Sequence, residues 1–313
     1  MLAPSILVVT LLSGQALAAT YSVVDTYQGS NFFDNFVFET FDDPTHGRVN
    51  YVDMSTAQSK GYATVSGNNF TLRADHTTVL GTGGRGRDSF RIQSKKSYDH
   101  HVSVYNVAHM PHGCGTWPAI WEKGDPWPTK GEVDILEGVN DVAPNQSTLH
   151  TSPDCTMPSS RTESGTPTSN DCNTAANSNS GCGVKHNDAN SYGPDFNSNG
   201  GGWLAMERTS SFIRIWFWQR DDANVPTDVK NGSGSINTDD WHTPDAYFPN
   251  TSCDIASHFS DNNIVINLTF CGDWAGSAYG SSGCPGSCVD FVNNNPSAFL
   301  NAHFTFIWIK VYT

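Results

Sequence analysis

Phe212-Ile213-Arg214-Ile215-Trp216-Phe217-Trp218-Gln219 reads as a β-strand, and it decides the fold. With side chains alternating between faces, Phe212, Arg214, Trp216 and Trp218 share one side, while Ile213, Ile215 and Phe217 share the other. Both sides are largely apolar or aromatic, so the strand must be covered on both. Similar short runs occur at 69–74, 101–107, 132–137, 147–151, 264–270 and 304–312, each bounded by Gly, Pro, Asn or Ser. No helical pattern lies between them. Short turn-bounded strands of this kind predict an all-β protein, a β-sandwich jelly roll of two packed antiparallel sheets.

The rest of the chain agrees with one such unit. Its 313 residues suit a single large all-β domain, aromatic residues make up 12% and charged residues only 15%, and no heptad or internal repeat is present. A formal charge of −14 with 17 Lys and Arg excludes a polyanion-binding surface, so nucleic acid is not an expected partner. A soluble protein acting on a neutral substrate, as a monomer, fits better.

At the N-terminus, an apolar run from Ile6 to Leu12 precedes Ala16-Leu17-Ala18. The run is too short to span a bilayer and has the form of a secretory signal cleaved after Ala18, although no Lys or Arg precedes it. Residues 1–18 are therefore expected to be a signal peptide, and 19–313 a single secreted catalytic domain. Eight cysteines and Asn-x-Ser/Thr sequons at Asn69, Asn145, Asn231, Asn250 and Asn267 agree with an extracellular location. No Cys/His spacing suggests zinc; Cys284 and Cys288 have no neighbouring His, and disulfides are the better reading, with the pairing left open. Between Thr151 and Gly202 the composition turns to Ser, Asn, Gly, Thr and Pro around Cys155, Cys172 and Cys182, which predicts a disulfide-pinned loop insertion.

Chemistry concentrates in Gly131-Glu132-Val133-Asp134-Ile135-Leu136-Glu137-Gly138, where three carboxylates interrupt an apolar segment. In a helix the two glutamates would diverge by about 140°. In a regular strand Glu132 and Asp134 share a face, but Glu137 has the wrong parity. One extra residue near Ile135-Leu136, a β-bulge, restores it to the same face, and bulges are common beside active sites. The Cα atoms of the two glutamates would then lie about 13 Å apart. Side chains leaning together could bring the carboxylates to about 5–6 Å, near the separation used for double displacement with retention of configuration. One Glu would attack the anomeric carbon, and the other would protonate the leaving oxygen and later deprotonate water. Asp134 would supply a like charge and a hydrogen-bond partner that separates their pKa values. Spacing alone does not say which Glu takes which part, and an isolated E-x-D-x-x-E is more often a solvated acidic face. The nearby Trp117, Trp121 and Trp127 favour a sugar cleft, because apolar C–H faces of sugars stack on indole rings.

The runs Gly115-Thr116-Trp117-Pro118-Ala119-Ile120-Trp121, Trp127-Pro128 and Gly131 to Asn140 together resemble glycoside hydrolase family 16. The likeness is closest to the fungal laminarinases, the endo-1,3(4)-β-glucanases. It extends from Tyr27-Gln28-Gly29 and Asp43-Pro44-Thr45-His46-Gly47 to the segment Ile264–Trp274, covering nearly all of the mature chain. The resemblance implies a concanavalin A-like jelly roll with a concave substrate cleft and endo-attack on β-1,3 or mixed β-1,3/1,4-glucans with retention. It also implies Glu132 as nucleophile, Glu137 as acid/base and Asp134 as the assisting carboxylate. Lichenase-like and xyloglucan-active members place the two glutamates one residue closer. By flanking matches, Trp121, Trp127, Trp274 and Arg91 fall at cleft positions, with His150 beside the acid/base; an ordinary strand His and a surface ion pair are the plain alternatives for His150 and Arg91. Ile120 and the stretch 123–126 read as a variable loop bordering the cleft. Some members bind a structural calcium, but no compact Asp-x-Asp-x-Asp-Gly loop asks for one, and neither a cofactor nor a catalytic metal is expected.

Two other functions use the same fold. A non-catalytic β-glucan-binding protein would lack one or both glutamates, which are intact here. A cell-wall transglycosylase would pass the covalent intermediate to a sugar; wall-remodelling relatives favour the shorter motif, and the C-terminal Ile309-Lys310-Val311-Tyr312-Thr313 has no hydrophobic anchor tail.

Overall fold

The computed structural model describes residues 20–313, so the expected signal peptide lies outside the described residues. Two large antiparallel sheets face each other. In the eight-stranded sheet the order runs Thr166–Pro167, Cys182–Lys185, Gln146–His150, Glu132–Glu137, Thr116–Lys123, Asn262–Phe270, Arg91–Tyr98, Phe36–Phe38. The nine-stranded sheet centres on His303–Tyr312, His101–His109, Gly202–Arg208 and Phe212–Gln219. All seven strand runs read from the sequence are strands here, with ends shifted by up to two residues.

The Phe212–Gln219 strand is buried on both faces, as its pattern demands. Ile213, Ile215 and Phe217 join the core between the sheets, with Ile120, Val133, Leu149 and Ile266 from the opposite sheet. Trp216 and Trp218 belong to a second apolar cluster on the outer face, covered by Val225, Val229, Ile236 and Trp241. The indole of Trp241 stands edge-on to both, at centroid distances of 4.9 and 5.4 Å. Polar links cross the inner core as well. Glu122 of one sheet is fully buried and accepts from Ser103 (3.1 Å) and Tyr105 (3.3 Å) of the other, with His101 Nε2 at 3.0 Å. Burial by itself would raise the Glu122 pKa, but His101, Arg208 and the Ser103 hydrogen bond together hold the group below its ordinary value.

Two expectations need correction. The segment from Thr151 to Gly202 is not all loop, because Cys182–Lys185 pairs with Gln146–His150 and Thr166–Pro167 adds a further strand, extending the eight-stranded sheet. Its turn-rich composition hid this: Cys-Gly-Val-Lys is too short to display an alternating pattern. Its cysteines form Cys172–Cys182 and Cys155–Cys253, while Cys114–Cys284 and Cys271–Cys288 complete the set. Ile120, read as part of a variable loop, lies inside the Thr116–Lys123 strand and is fully buried.

The predicted β-bulge is present. Glu132, Val133 and Asp134 pair with Lys123, Glu122 and Trp121, then the register slips so that Leu136 faces Ile120 and Glu137 faces Ala119. Ile135 is the extra residue. On the other side, pairing with Gln146–His150 stops at Asp134 opposite Thr148. Side chains finish what the ladder cannot. Asn145 Oδ1 accepts the Glu137 backbone N–H at 2.8 Å, Asn145 Nδ2 donates to the Ile135 carbonyl at 2.9 Å, and Ser147 Oγ donates to that carbonyl at 3.1 Å. Among the described residues, no helix is long and apolar enough to cross a membrane.

Replacing Asn145 by Ala leaves the Glu137 N–H without its acceptor in a buried setting, at a cost of about 1–3 kcal/mol. Urea unfolding of Asn145→Ala should show a lower midpoint with an unchanged m-value; an unchanged midpoint would mean that the bulge holds without this clamp.

Candidate active site

The glycines at both ends of the motif have steric reasons. Gly131 has φ of 75°, and a Cβ there would stand 2.3 Å from the Phe259 ring; at Gly138 a Cβ would meet the Tyr192 ring at 2.6 Å. Between them, Glu132, Asp134 and Glu137 all project to the face away from the core, while Val133, Ile135 and Leu136 are buried in it. Ala119, directly opposite Glu137, leaves room for the larger side chain.

Each carboxylate has a distinct environment. Trp127 Nε1 donates to Glu132 Oε2 at 2.7 Å, and His150 Nε2 is 3.9 Å from Glu132 Oε1. Trp117 Nε1 donates to Glu137 Oε1 at 2.8 Å. Asp134 is 2% exposed, its Oδ2 has no hydrogen-bond partner, and His150 Nε2 lies 3.5 Å away. Burial, then the charges of Glu137 and Glu132, push the Asp134 carboxyl well above its ordinary value. Glu137 reaches the cleft with part of its surface, yet desolvation pushes it up to about 7, opposed by the Trp117 hydrogen bond and by His150 and reinforced by Glu132. A Glu with that pKa holds a proton near neutrality and can give it away.

His150 is strand-paired opposite Glu132, and its Nδ1 is 2.9 Å from Asn179 Oδ1. Because an amide oxygen only accepts, that contact places a proton on Nδ1 and turns Nε2 toward the carboxylates. The sequence placed His150 beside the acid/base, Glu137; the ion-pair contacts instead put it nearest Asp134 and Glu132.

The other expected residues surround this row. Trp127 is 43% exposed at the rim. Trp121 donates to Asn267 Oδ1 at 2.7 Å, and the Arg91 guanidinium lies 4.9 Å from the centroid of its ring. Arg91 is not in a surface ion pair: it is buried, bonded to Glu39 at 2.6 Å, with its other face toward the exposed ring of Phe41 at 5.0 Å. It therefore acts on the cleft chiefly by fixing Trp121 and Phe41. Trp274 stands edge-on to Trp117 with centroids 5.7 Å apart, in a short turn beginning at the disulfide residue Cys271. The Asp43–Gly47 segment supports that turn, through Asp273 N–H to the Thr45 carbonyl at 2.9 Å and His46 to Asp273 at 3.0 Å.

Sequence reasoning missed Asn145, Asn179, Glu39 and Phe41. Asn145 carried the one usable signal, since a predicted bulge leaves backbone groups that need a side-chain partner nearby. Among the described residues, two groups of donor atoms cluster closely enough to hold a metal, Glu132/Asp134/His150 and Cys155/Cys253/His258. In the second, both cysteines are consumed by a disulfide. The first lies within the carboxylate row itself.

A family model described as the XgeA-like catalytic domain of glycoside hydrolase family 16 matches residues 36–312. A protein of Schizosaccharomyces pombe named a probable glycosidase is 44% identical over 94% of this chain and 70% of its own length. A probable endo-1,3(4)-β-glucanase of Aspergillus niger is 42% identical over 95% of this chain, which spans only 40% of that relative. Among solved structures, Laminarinase 16A of Phanerochaete chrysosporium, holding 6-O-glucosyl-laminaritriose in donor and acceptor sites, is 58% identical with a TM-score of 0.93, covering 94% of this chain and 100% of that one. An elongating family 16 β-1,3-glucosyltransferase is 39% identical, with a TM-score of 0.88 and the same coverage. The two-sheet sandwich, the bulged carboxylate strand and these matches agree that this chain belongs to glycoside hydrolase family 16.

Proposed function

We propose that the protein is a secreted, monomeric endo-1,3(4)-β-glucanase that hydrolyses laminarin-like and lichenan-like glucans by retaining double displacement. The observation that carries this reading is the division of labour on one strand face, where Glu137 holds a proton to about pH 7 while Glu132 accepts a hydrogen bond from Trp127. The named activities of the glucanase relatives and the glucan bound to the 58%-identical laminarinase support the substrate class.

In the first step Glu132 Oε1 attacks the anomeric carbon as Glu137 passes its proton to the departing glycosidic oxygen. The Trp127 N–H occupies Oε2 and so orients the other oxygen toward the sugar. Once Glu137 is ionised, the Trp117 hydrogen bond stabilises the carboxylate until it takes a proton from the incoming water. Water then attacks the glycosyl-enzyme from the face the leaving group vacated, so configuration is retained. Burial, with the charges of Glu137 and Glu132, raises the Asp134 carboxyl and so disfavours a third negative charge beside the nucleophile. Trp121, Trp127 and Trp274 offer indole faces to the sugar rings, with Arg91 and Phe41 behind and beside Trp121.

A second reading has one specific support, the 39%-identical elongating glucosyltransferase. If the glycosyl-enzyme is intercepted by a sugar hydroxyl, products longer than the starting oligosaccharide will accumulate at high substrate concentration.

Product analysis on laminarin, lichenan and cellulose tests the main reading. New reducing ends should appear first as the β-anomer by NMR with the first two substrates, and Glu132→Ala should lower the rate by at least about 10⁴-fold. Tight glucan binding without products would instead make this a binding protein. Glu137→Ala should keep partial turnover only on substrates with activated leaving groups.

The rate should fall as pH rises through about 7, where Glu137 loses its proton. Trp117→Phe removes a bond to the ionised form and should move that limb to higher pH; a limb that moves down, or a flat profile from pH 4 to 9, contradicts the assignment.

Stability should carry the same signature. The folded-state pKa of Glu137 lies above the ordinary 4.5, so its contribution is fully present below 4.5 and is lost as pH rises through about 7. Denaturation midpoints of Glu137→Gln across that window should decline less with pH than those of the parent protein.

A further inference from the structure

The five sequons fall into two groups on the structure. Asn145 is fully buried, with both amide atoms committed to the bulge. Asn267 is 7% exposed, accepts from Trp121 and donates to Tyr51 Oη at 3.5 Å. Asn69, Asn231 and Asn250 are exposed, and none of their side-chain amides makes a hydrogen bond among the described residues.

The grouping follows the architecture. Asn69 closes a hairpin with Ser66, in the strand pair that borders His303–Tyr312 of the nine-stranded sheet. Asn231 ends the short Thr227–Asn231 helix that helps cover the outer tryptophan cluster. Asn250 follows the edge strand Ala246–Pro249 of the same sheet, its N–H bonded to the Ser211 carbonyl at 3.0 Å. Asn145 and Asn267 instead belong to the eight-stranded sheet that carries the carboxylates.

We infer that the mature protein carries N-linked oligosaccharides at Asn69, Asn231 and Asn250 and at neither Asn145 nor Asn267, which clothes the sheet opposite the cleft and leaves the catalytic face bare. The inference rests on the proposed secretion of the chain. Transfer forms a bond from the asparagine Nδ2 to the anomeric carbon of a lipid-diphosphate-linked oligosaccharide, breaks that carbon's bond to the diphosphate oxygen and releases one Nδ2 proton. At the three exposed positions the nitrogen has no other duty. At Asn145 the same bond would place a sugar in a filled core and disturb the donor that holds Ile135; at Asn267 it would crowd the partner of Trp121. A chain modified at either site cannot reach the structure described here, so the folded population excludes it.

Glycopeptide mapping of the full chain secreted from a yeast host tests this, with amidase release in heavy-oxygen water marking each occupied asparagine as a labelled aspartate. Label at Asn69, Asn231 and Asn250 in most molecules, and none at Asn145 or Asn267, is the expected result. An unlabelled majority at any of the three, or label at either buried position, overturns it. A chain that stays inside the cell unmodified refutes the secretion reading instead; a heterologous leader then takes it through the same compartment, where the same pattern must still appear. Asn69→Gln, Asn231→Gln and Asn250→Gln should each remove one glycan from the intact mass, and laminarin cleavage by the triple variant should stay within about twofold of the parent.

Discussion

Ile135 has no partner across the strand pair, and that single unpaired residue sets the direction in which Glu137 points. Without it, an acidic side chain five positions after Glu132 would face the core, where Leu136 now packs against the inter-sheet cluster. A bulge disrupts a ladder inside a buried sheet, where lost backbone hydrogen bonds are expensive. Asn145 makes the arrangement tolerable by offering one acceptor and one donor to the two backbone groups that the neighbouring strand cannot reach. The proton affinity of Glu137, the reach of Trp117 and the small Ala119 opposite all depend on that orientation.

The layers behind the strand keep this geometry stiff. Apolar side chains fill the space between the sheets, and Glu122 with His101, Ser103 and Tyr105 pins one sheet to the other directly beneath Trp121. All three contacts fall on Oε1 while Oε2 has no hydrogen-bond partner, so any sliding of the sheets that broke them would leave a buried carboxylate unpaired. The outer tryptophan cluster then shields the far face of the second sheet.

Much of this was legible in the residues. Alternation in Phe212–Gln219 foretold a strand covered on both sides, and the parity of Glu137 foretold the bulge, because both are local consequences of a two-residue period. What remained hidden depended on residues far apart in sequence. Arg91 reads as a cleft residue or a surface ion pair, and its burial shows only when Glu39 and Phe41 are brought beside it; Asn179 gains meaning only when the disulfide Cys172–Cys182 and the strand following it set that loop against His150. Short strands such as Thr166–Pro167 carry too few residues to show a period at all.

The cleft walls also hang on contacts outside the carboxylate strand. The Trp274 turn hangs on Cys271–Cys288 and the Asp43–Gly47 segment, Phe41 on Arg85 and Arg91, and Trp127 on the loop beyond Lys123. The Trp274 turn and Phe41 touch neither the bulge nor its asparagine clamp, whereas Trp127 donates to Glu132 and is tied to the carboxylates. A scaffold divided in this way lets the outer walls set which chains fit the cleft, while the buried strand sets the proton affinities at its floor.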